Sequence, residues 1–174
     1  MDSDITLAGD STLADSFADE IEDFLNNIEG QISGKSLYVG FVDGATYPDG
    51  TSIADVAIQN EVGDPAKNRP PRPFFRNAIS SKESQWEKSM LDGLRAGYDG
   101  DNVMEIMGAV IAADIRESII QLTSPALSPV TIDLRRNAEW RASQDKPVNM
   151  SVKPLEDTKR MLNSVTYELR DDPQ

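Results

Sequence analysis

The sequence of 174 residues contains no cysteine and no histidine. Without cysteine there is no disulfide and no thiolate metal site, and without histidine the usual proton shuttle and the commonest transition-metal ligand are missing. Catalysis by a Ser-His-Asp or Cys-His arrangement is therefore excluded within this chain. An enzyme built from it would have to work with Asp, Glu, Ser, Lys, Arg or Tyr alone.

Long hydrophobic runs are missing as well. No apolar stretch approaches the ~20 residues that a membrane helix needs, and the first four residues, Met-Asp-Ser-Asp, are acidic where a signal peptide would be basic. We therefore expect a soluble protein made in the cytoplasm. The length is sufficient for one domain with a hydrophobic core.

Positive charge is missing from the first 30 residues, which hold nine acidic side chains and no Lys or Arg. The rest of the chain is nearly balanced, with 30 − 9 = 21 acidic against 17 basic residues. This negative charge argues against free nucleic acid as a partner, because proteins bind nucleic acids mainly by neutralising the phosphates with positive charge. It would suit a wall past which DNA slides, or a surface that meets a basic partner. The simplest alternative is a solvated acidic helix.

Hydrophobic spacing predicts the regular elements. Helices are expected over residues 10–34, 51–62, 77–98 and 102–122, a helical turn over 157–162, and strands over 37–42 and 165–169. The first helix carries an apolar stripe, and Gly63 fits the left-handed position after the second. Asn102 and Glu105 have capping-box spacing at the start of the fourth, which is the most apolar and is expected to lie across the sheet. The stripe of the first helix consists of Leu13, Phe17, Ile21, Phe24, Ile28 and Ile32.

Residues 123–150 contain three prolines and several serines, and their apolar residues follow no sustained helical or strand period. The segment is longer than the ~12–15 residues at which structureless loops become uncommon, so we expect it to be functional or to reach over a neighbouring subunit. Val130, Ile132 and Leu134 alternate with polar residues and predict a short hairpin strand inside it.

Residues 60–76 form the most unusual segment, with three arginines and two adjacent phenylalanines among its prolines. Proline fixes φ and disfavours the α region for the preceding residue, so residues 68–73 are expected to form a stiff, extended loop arm. In an extended chain Phe74 and Phe75 would point to opposite faces, one into the core and one toward a partner.

Basic side chains in and beside this arm make the one positive patch of an acidic chain. They either pair with the protein's own acids or meet the acidic N-terminal helix of a neighbouring copy. The patch consists of Lys67, Arg69, Arg72, Arg76 and Lys82.

No motif indicates catalysis. The sequence has no phosphate-binding glycine loop, no nucleophile elbow and no zinc-protease motif. Asp114 and Glu117 stand three residues apart on a predicted helix, where a solvated helix face is the simpler interpretation. We expect no enzyme activity, and no catalytic, cofactor-binding or metal-binding residues.

Three sequence blocks in order resemble the tail-completion and head–tail joining proteins of tailed bacteriophages. They are Asn60-Glu61-Val62-Gly63, then Pro-Arg-Pro-Phe-Phe-Arg ending at Arg76, and last Pro-Leu-Glu-Asp157-Thr leading into Asn-Ser-Val-Thr-Tyr167. Order and spacing match over about residues 37–169. Lys159 takes the place of the usual glycine, so a tight left-handed turn is not expected there.

The resemblance implies an α+β fold, with a small antiparallel sheet packed against helices. The long N-terminal helix and the extended loop arm, which the apolar spacing and the prolines predict, complete the expected architecture. Residues 1–36 would be an acidic extension with its helix, and residues 37–174 a single domain. The subunit would form a homo-oligomer, a hexameric ring in the neck of the virion, which completes or terminates the tail and leaves a channel for DNA. Its partners would be a head connector or stopper and a tail-tube or terminator protein. The expected interface residues are Asn60, Glu61, Arg69, Arg72, Phe74, Phe75, Arg76, Asp157 and Tyr167.

Two other classes of function stay open on the sequence. An acidic protein that mimics DNA could inhibit a nucleic-acid-binding protein, although this gives no reason for the arm. A carboxylate-dependent hydrolase would need two acids converging in a cleft, and no pair is indicated.

Overall fold

A computed structural model of the chain describes residues 34–42 and 44–171, together with Asp23 and Gly30. The helix predicted over residues 10–34 lies outside the continuously described ranges.

The sheet has two antiparallel strands, β1 (Lys35–Phe41) and β2 (Val165–Asp171). Lys35 lies opposite Asp171 and Phe41 opposite Val165. Both predicted strands are confirmed. They come from opposite ends of the described chain, so the helices between them belong to one long connection. The result is an α+β fold with a small antiparallel sheet, as expected.

Three helices carry most of the core: α1 (Ile53–Val62), α2 (Phe74–Arg95) and α3 (Gly100–Gln121). The Ser52 side chain accepts a hydrogen bond from the Asp55 amide at the start of α1. Gly63 follows α1 with a positive φ of 75°, as predicted for a glycine here, but its ψ of −179° places it outside the left-handed helical region. The cap of α3 is Asp99, which accepts from the Asn102 amide at 3.1 Å, so the prediction that Asn102 begins this helix is wrong.

Helix α3 lies across the sheet, as its apolar composition predicts. A Cβ built on Gly108 of α3 would stand 2.5 Å from the Tyr167 ring and 3.0 Å from the Leu37 side chain. The absence of a side chain at Gly108 therefore allows the close packing of helix on strands. The core is centred on side chains from α2, α3 and β2 with almost no exposure: Phe74, Ala112, Ile115, Ile119 and Val165.

Residues 123–150 contain two short helices, α4 (Pro129–Arg136) and α5 (Ala138–Ser143), so the predicted hairpin strand with Val130, Ile132 and Leu134 is wrong. Ser128 caps α4 by accepting from the Thr131 amide, and Pro129 occupies a first-turn position, where its missing N–H is tolerated. The residues that begin the helix therefore determine the structure of this segment, and the short alternation of apolar and polar residues does not.

The last helix, α6 (Arg160–Asn163), follows Lys159, whose φ of 58° is left-handed. The expectation that no left-handed turn forms at Lys159 is therefore wrong, because the lysine itself adopts the left-handed conformation.

The predicted arm of residues 68–73 is not extended at its first residue, because Asn68 is left-handed, and residues 70–73 form no helix or strand. Asp64 and Arg69 exchange two backbone hydrogen bonds of 2.9 Å, and between them lie a 3₁₀ turn (Pro65–Lys67) and Asn68 in the left-handed region. Residues 64–69 thus form a closed turn, here termed the cationic hairpin. Phe74 begins α2, three residues earlier than predicted.

Candidate interface

Glu61 joins the end of α1 to the beginning of α2. Pro73 precedes α2 and supplies no side-chain cap. The Phe75 amide instead donates to Glu61 Oε2 at 2.9 Å and the Arg76 amide to Oε1 at 3.2 Å. Arg76 Nε also donates to Oε1 at 2.8 Å. A carboxylate at a helix N-terminus satisfies free amides and interacts favourably with the helix dipole. We term this arrangement the Glu61 cap.

Gly63 makes the connection to α2 possible. A Cβ at this position would lie 2.7 Å from the Pro71 nitrogen and 2.8 Å from the Arg69 carbonyl oxygen, distances too short for a side chain. Just beyond it, the Arg72 amide donates to the Asn60 carbonyl at 2.7 Å. The Asn-Glu-x-Gly block and the Arg-Pro-Phe-Phe-Arg block are therefore two halves of one junction.

The two phenylalanines lie side by side in the first turn of α2, which makes the prediction of opposite faces wrong. Phe74 has no exposed surface, and its ring centroid is 5.7 Å from that of Phe75 and 6.2 Å from that of Phe41. Phe75 is half-buried and packs over Gly40, where a Cβ would be 3.1 Å from its ring. Phe74 is thus the core residue, and no partner can reach it without unfolding the turn.

Internal partners account for most of the positive patch. Arg76 pairs with Glu61 at 2.8 Å, Lys67 with Asp64 at 3.2 Å and Lys82 with Asp114 at 3.7 Å. The intramolecular alternative therefore holds for these three cations.

The other two cations of the patch differ from each other. Arg69 is exposed and donates to Gln59 Oε1 at 3.1 Å. Arg72 is half-buried, and its Nε has no hydrogen-bond partner among the described residues. Burial, followed by the nearby Arg135 and Arg69, lowers the pKa of the Arg72 guanidinium.

A second junction forms around Asp157. Arg141, only 1% exposed, donates from Nη1 to Asp157 Oδ1 at 2.7 Å and from Nε to the Pro147 carbonyl at 2.7 Å. Arg135, 6% exposed, places Nε 3.6 Å from the same carboxylate oxygen. Burial lowers the pKa of Arg135, and the Asp157 charge opposes that shift. Two buried cations thus share one carboxylate.

Backbone carbonyls complete the coordination of Arg135. Its guanidinium donates to the carbonyls of Ser151, Lys153 and Pro154 at 2.8–3.3 Å. Asn149 adds further bonds, from its amide to the Arg135 carbonyl and from its side chain to the Glu156 and Asp157 carbonyls. The Pro-Leu-Glu-Asp-Thr block is thereby attached to α4 and α5. This set of contacts is termed the Asp157 junction.

A cleft of about 560 Å³ lies where the two junctions meet. Asn60 lines it from the first junction, and Arg135 and Asp157 from the second. Tyr47 also lines it, and burial, reinforced by the Asp157 charge, raises the pKa of the tyrosine hydroxyl. The structure therefore brings Asn60 and Asp157 to one place, whereas Tyr167 is packed against α3 and is not part of the cleft lining.

Sequence reasoning missed Arg135, Arg141 and Asn149. The sequence offered one indication of them. Several arginines lie within residues 123–150, and Asp157 of the third block had no predicted cationic partner. The solvated-face interpretation also fails for Asp114, which is partly buried and accepts from Trp86 Nε1 at 2.7 Å. Glu117 is exposed, as expected.

The described part of the chain has neither a cluster of metal-binding side chains nor a membrane-spanning helix. No three acidic side chains there converge in a way that could hold a metal ion. None of its helices combines the length and the apolar character that crossing a membrane requires.

No protein-family model, no curated protein and no solved structure matches this chain.

Proposed function

We propose that this chain is a structural subunit of the neck of a tailed bacteriophage. It assembles into a ring that completes or terminates the tail and joins it to the head connector, and DNA passes through the ring. The observation that supports this proposal is the way the resembling blocks are used. The first two form the junction with the Glu61 cap and the third forms the Asp157 junction. Each junction holds an exposed segment in place, and neither forms a catalytic arrangement.

The first exposed segment is the cationic hairpin. Ile58 and Val62, both exposed, stand four residues apart on α1 and therefore on one side of it. Arg69 reaches back to Gln59 of the same helix, and Lys67 stands at the tip of the turn. An apolar pair beside two exposed cations is typical of a protein contact surface. We term the set of Ile58, Val62, Lys67 and Arg69 the hairpin face.

Charge indicates what this face would meet. The first 30 residues of a neighbouring copy bring nine acidic side chains and no basic one. A contact between that region and the hairpin face joins two different surfaces, and such head-to-tail contacts close into rings when the rotation permits. An acidic lumen would then let DNA pass without holding it, because phosphates are repelled.

The oligomeric state tests this proposal. Native mass spectrometry at micromolar concentration should give a hexamer for the natural chain, and Arg69→Glu or Ile58→Asp should weaken assembly at least about tenfold, since both change exposed interface side chains. Lys88→Glu makes the same charge change on an exposed side chain of α2 and should leave assembly unchanged. Equal assembly in all four proteins would contradict the role of the hairpin face.

Location tests the biological part of the proposal. Cryo-electron microscopy of a phage particle that carries a labelled copy of this chain should place the label at the junction of head and tail. A label on the capsid surface or at the distal tail tip would overturn the assignment.

The DNA-mimic alternative receives no specific support from the described residues. It requires free carboxylates at phosphate-like spacing, whereas Glu61, Asp64, Asp114 and Asp157 are paired with cations of the same chain. Competition between the monomeric protein and DNA for a basic target would favour it over the neck proposal.

A further inference from the structure

Arg72 is held in the first junction by its backbone and not by its side chain. Its amide donates to the Asn60 carbonyl at 2.7 Å, and its own carbonyl accepts from the Phe74 amide at 2.8 Å. Its guanidinium forms no hydrogen bond and no ion pair within residues 34–42 and 44–171. Among its side-chain nitrogens only Nε is buried without a partner, so Nη1 and Nη2 remain accessible.

Other arginines of the two junctions have a carboxylate of the same chain as their partner. Arg76 lies 2.8 Å from Glu61, and Arg141 lies 2.7 Å from Asp157. In the part of the chain that the structure describes, no carboxylate forms such a pair with Arg72. Arg72 therefore differs from these two arginines, because no described carboxylate neutralises its charge.

Two further cations act on Arg72. Burial, followed by the charges of Arg135 and Arg69, lowers the pKa of the Arg72 guanidinium. A half-buried cation that lies near two others and lacks an anion raises the free energy of the folded chain. Side chains that lower stability in this way are typical of binding sites, where function requires them. A bound anion would reduce the destabilisation.

We propose that the Arg72 guanidinium binds a carboxylate from the acidic first 30 residues of a second copy. This inference rests on the contact between copies proposed above, and it names one receptor group in that contact. Parallel N–H bonds from Nη1 and Nη2 to the two oxygens of an Asp or Glu side chain are a strong and specific way for arginine to bind an anion. Arg69, which is exposed, adds a second positive charge nearby.

Net charge favours a protein carboxylate over a nucleic-acid phosphate as the anion. The whole chain carries a net charge of −13, which repels nucleic acid. Its first 30 residues contain nine acidic side chains and no basic one, so they are attracted to a site of unpaired positive charge.

Strand β1 separates the chain's own acidic region from Arg72. Phe41, at the end of β1, packs against Phe74 at a centroid distance of 6.2 Å, two residues after Arg72. The first 34 residues join β1 at its other end, at Lys35. Six further residues of strand span about 20 Å. The acidic region of a second copy is not attached at this remote end, so we assign the carboxylate to a second copy.

A labelled synthetic peptide of residues 10–30 tests the site by fluorescence anisotropy. The receptor is the full-length chain in which each Asp and Glu of the first 30 residues is changed to Asn or Gln, so that its own segment cannot compete. Arg72→Met in this receptor should weaken peptide binding at least about tenfold, because it removes one partner of a charged hydrogen-bonded pair. Arg136→Met removes the same charge from an exposed arginine of α4 and should change the affinity less than about twofold. Equal affinities of the two variants would overturn the inference.

Urea unfolding of the same receptors distinguishes a binding residue from a structural one. Arg72→Met removes an unpaired, half-buried charge and keeps a long unbranched side chain, so the urea midpoint should stay the same or rise. A midpoint that falls together with the peptide affinity would make Arg72 a structural residue and overturn the inference.

The remaining outcomes separate this inference from the proposed function. Short duplex DNA offered in place of the peptide should not bind, and DNA binding that Arg72→Met abolishes would assign the site to phosphate and overturn the inference. Peptide binding that depends on Arg72, without a hexamer of the natural chain, would support the inference and refute the ring. A hexamer together with peptide binding that does not depend on Arg72 would refute the inference and leave the ring intact.

Discussion

At the scale of single residues, Glu61 connects two helices of the core. It caps α2 from the end of α1, across a gap of 14 residues, and also pairs with Arg76. Proline at the usual capping position cannot provide a side-chain oxygen, so the distant carboxylate takes over that role. Glu61 and Arg76 are therefore residues of internal structure, and their use in an interface stays a prediction.

Glu61→Ala should lower the free energy of unfolding by about 1–2 kcal/mol, because it removes a helix cap and a charged hydrogen bond. Urea unfolding followed by circular dichroism measures this loss. Glu87→Ala removes an exposed glutamate from α2, the helix that Glu61 caps, and should change stability by less than about 0.5 kcal/mol. A loss at Glu61 no larger than that at Glu87 would show that the cap is dispensable.

Gly63 and Gly97 offer a matched pair of glycine substitutions. Their φ angles are 75° and 81°, so alanine is strained at both, and they differ in the space around them. A Cβ at Gly97 meets nothing within 4 Å, whereas at Gly63 it would clash with the backbone of residues 69–71. Gly97→Ala should cost about 1–2 kcal/mol, and Gly63→Ala clearly more. Similar melting temperatures for the two variants would contradict the close approach at Gly63.

At the scale of elements, the short helices α4 and α5 depend on contacts outside themselves. Helices of eight and six residues are not stable alone in water. Arg135 and Arg141 emerge from them into the Asp157 junction and bind residues 147–157. One carboxylate therefore connects two helices with residues 147–153.

Asp157→Ala should destabilise the protein by about 3 kcal/mol, because it leaves two buried guanidinium groups without their carboxylate. Asp157→Asn keeps an acceptor oxygen and should cost less. Hydrogen exchange should show the loss first at the amides of Asn149 and Lys146, which bond to the carbonyls of Arg135 and Arg141. Unchanged exchange at these two amides would show that the junction does not hold residues 146–149 in place.

At the scale of the whole molecule, stability depends on pH through the carboxyl groups whose pKa values differ between the folded and the unfolded state. The pKa values of three carboxyls lie below their ordinary range. The Lys67 ammonium lowers the pKa of Asp64, the Lys88 ammonium lowers that of Asp92, and the Thr51 amide lowers that of Asp49. A lowered pKa in the folded state means that the unfolded state binds protons first.

The urea midpoint should therefore be highest above about pH 5 and fall as the pH drops through and below the ordinary aspartate pKa of about 3.9. Asp49→Asn should show a shallower fall, because one of the contributing carboxyls is gone. Fluorescence of the two tryptophans can follow unfolding across this range. A midpoint that does not change between pH 6 and pH 3 would contradict the assignment of these shifts.

Elements with a clear period could be predicted from the sequence, and elements that depend on distant residues could not. The alternation in β1 and β2 and the apolar spacing of α1 and α3 located those elements to within a few residues. The start of α2 was misplaced because its cap comes from Glu61. The hairpin strand predicted within residues 123–150 was wrong because Ser128 and Pro129 begin a helix there, and α4 and α5 are held by contacts to residues 147–157.

The sequence by itself determined that no disulfide and no histidine-dependent catalysis can form within the chain. It also determined the acidity of the first 30 residues and the hydrophobic periods of the main strands and helices. These properties belong to composition and to near neighbours along the chain. Only the tertiary structure decided that Phe74 is core, that Arg76 and Arg141 pair internally, and that Arg135 and Arg141 bind the carbonyls of residues 147–153. Each of these depends on contacts across the fold, and a charged or aromatic side chain is equally compatible with several partners until folding brings one of them close.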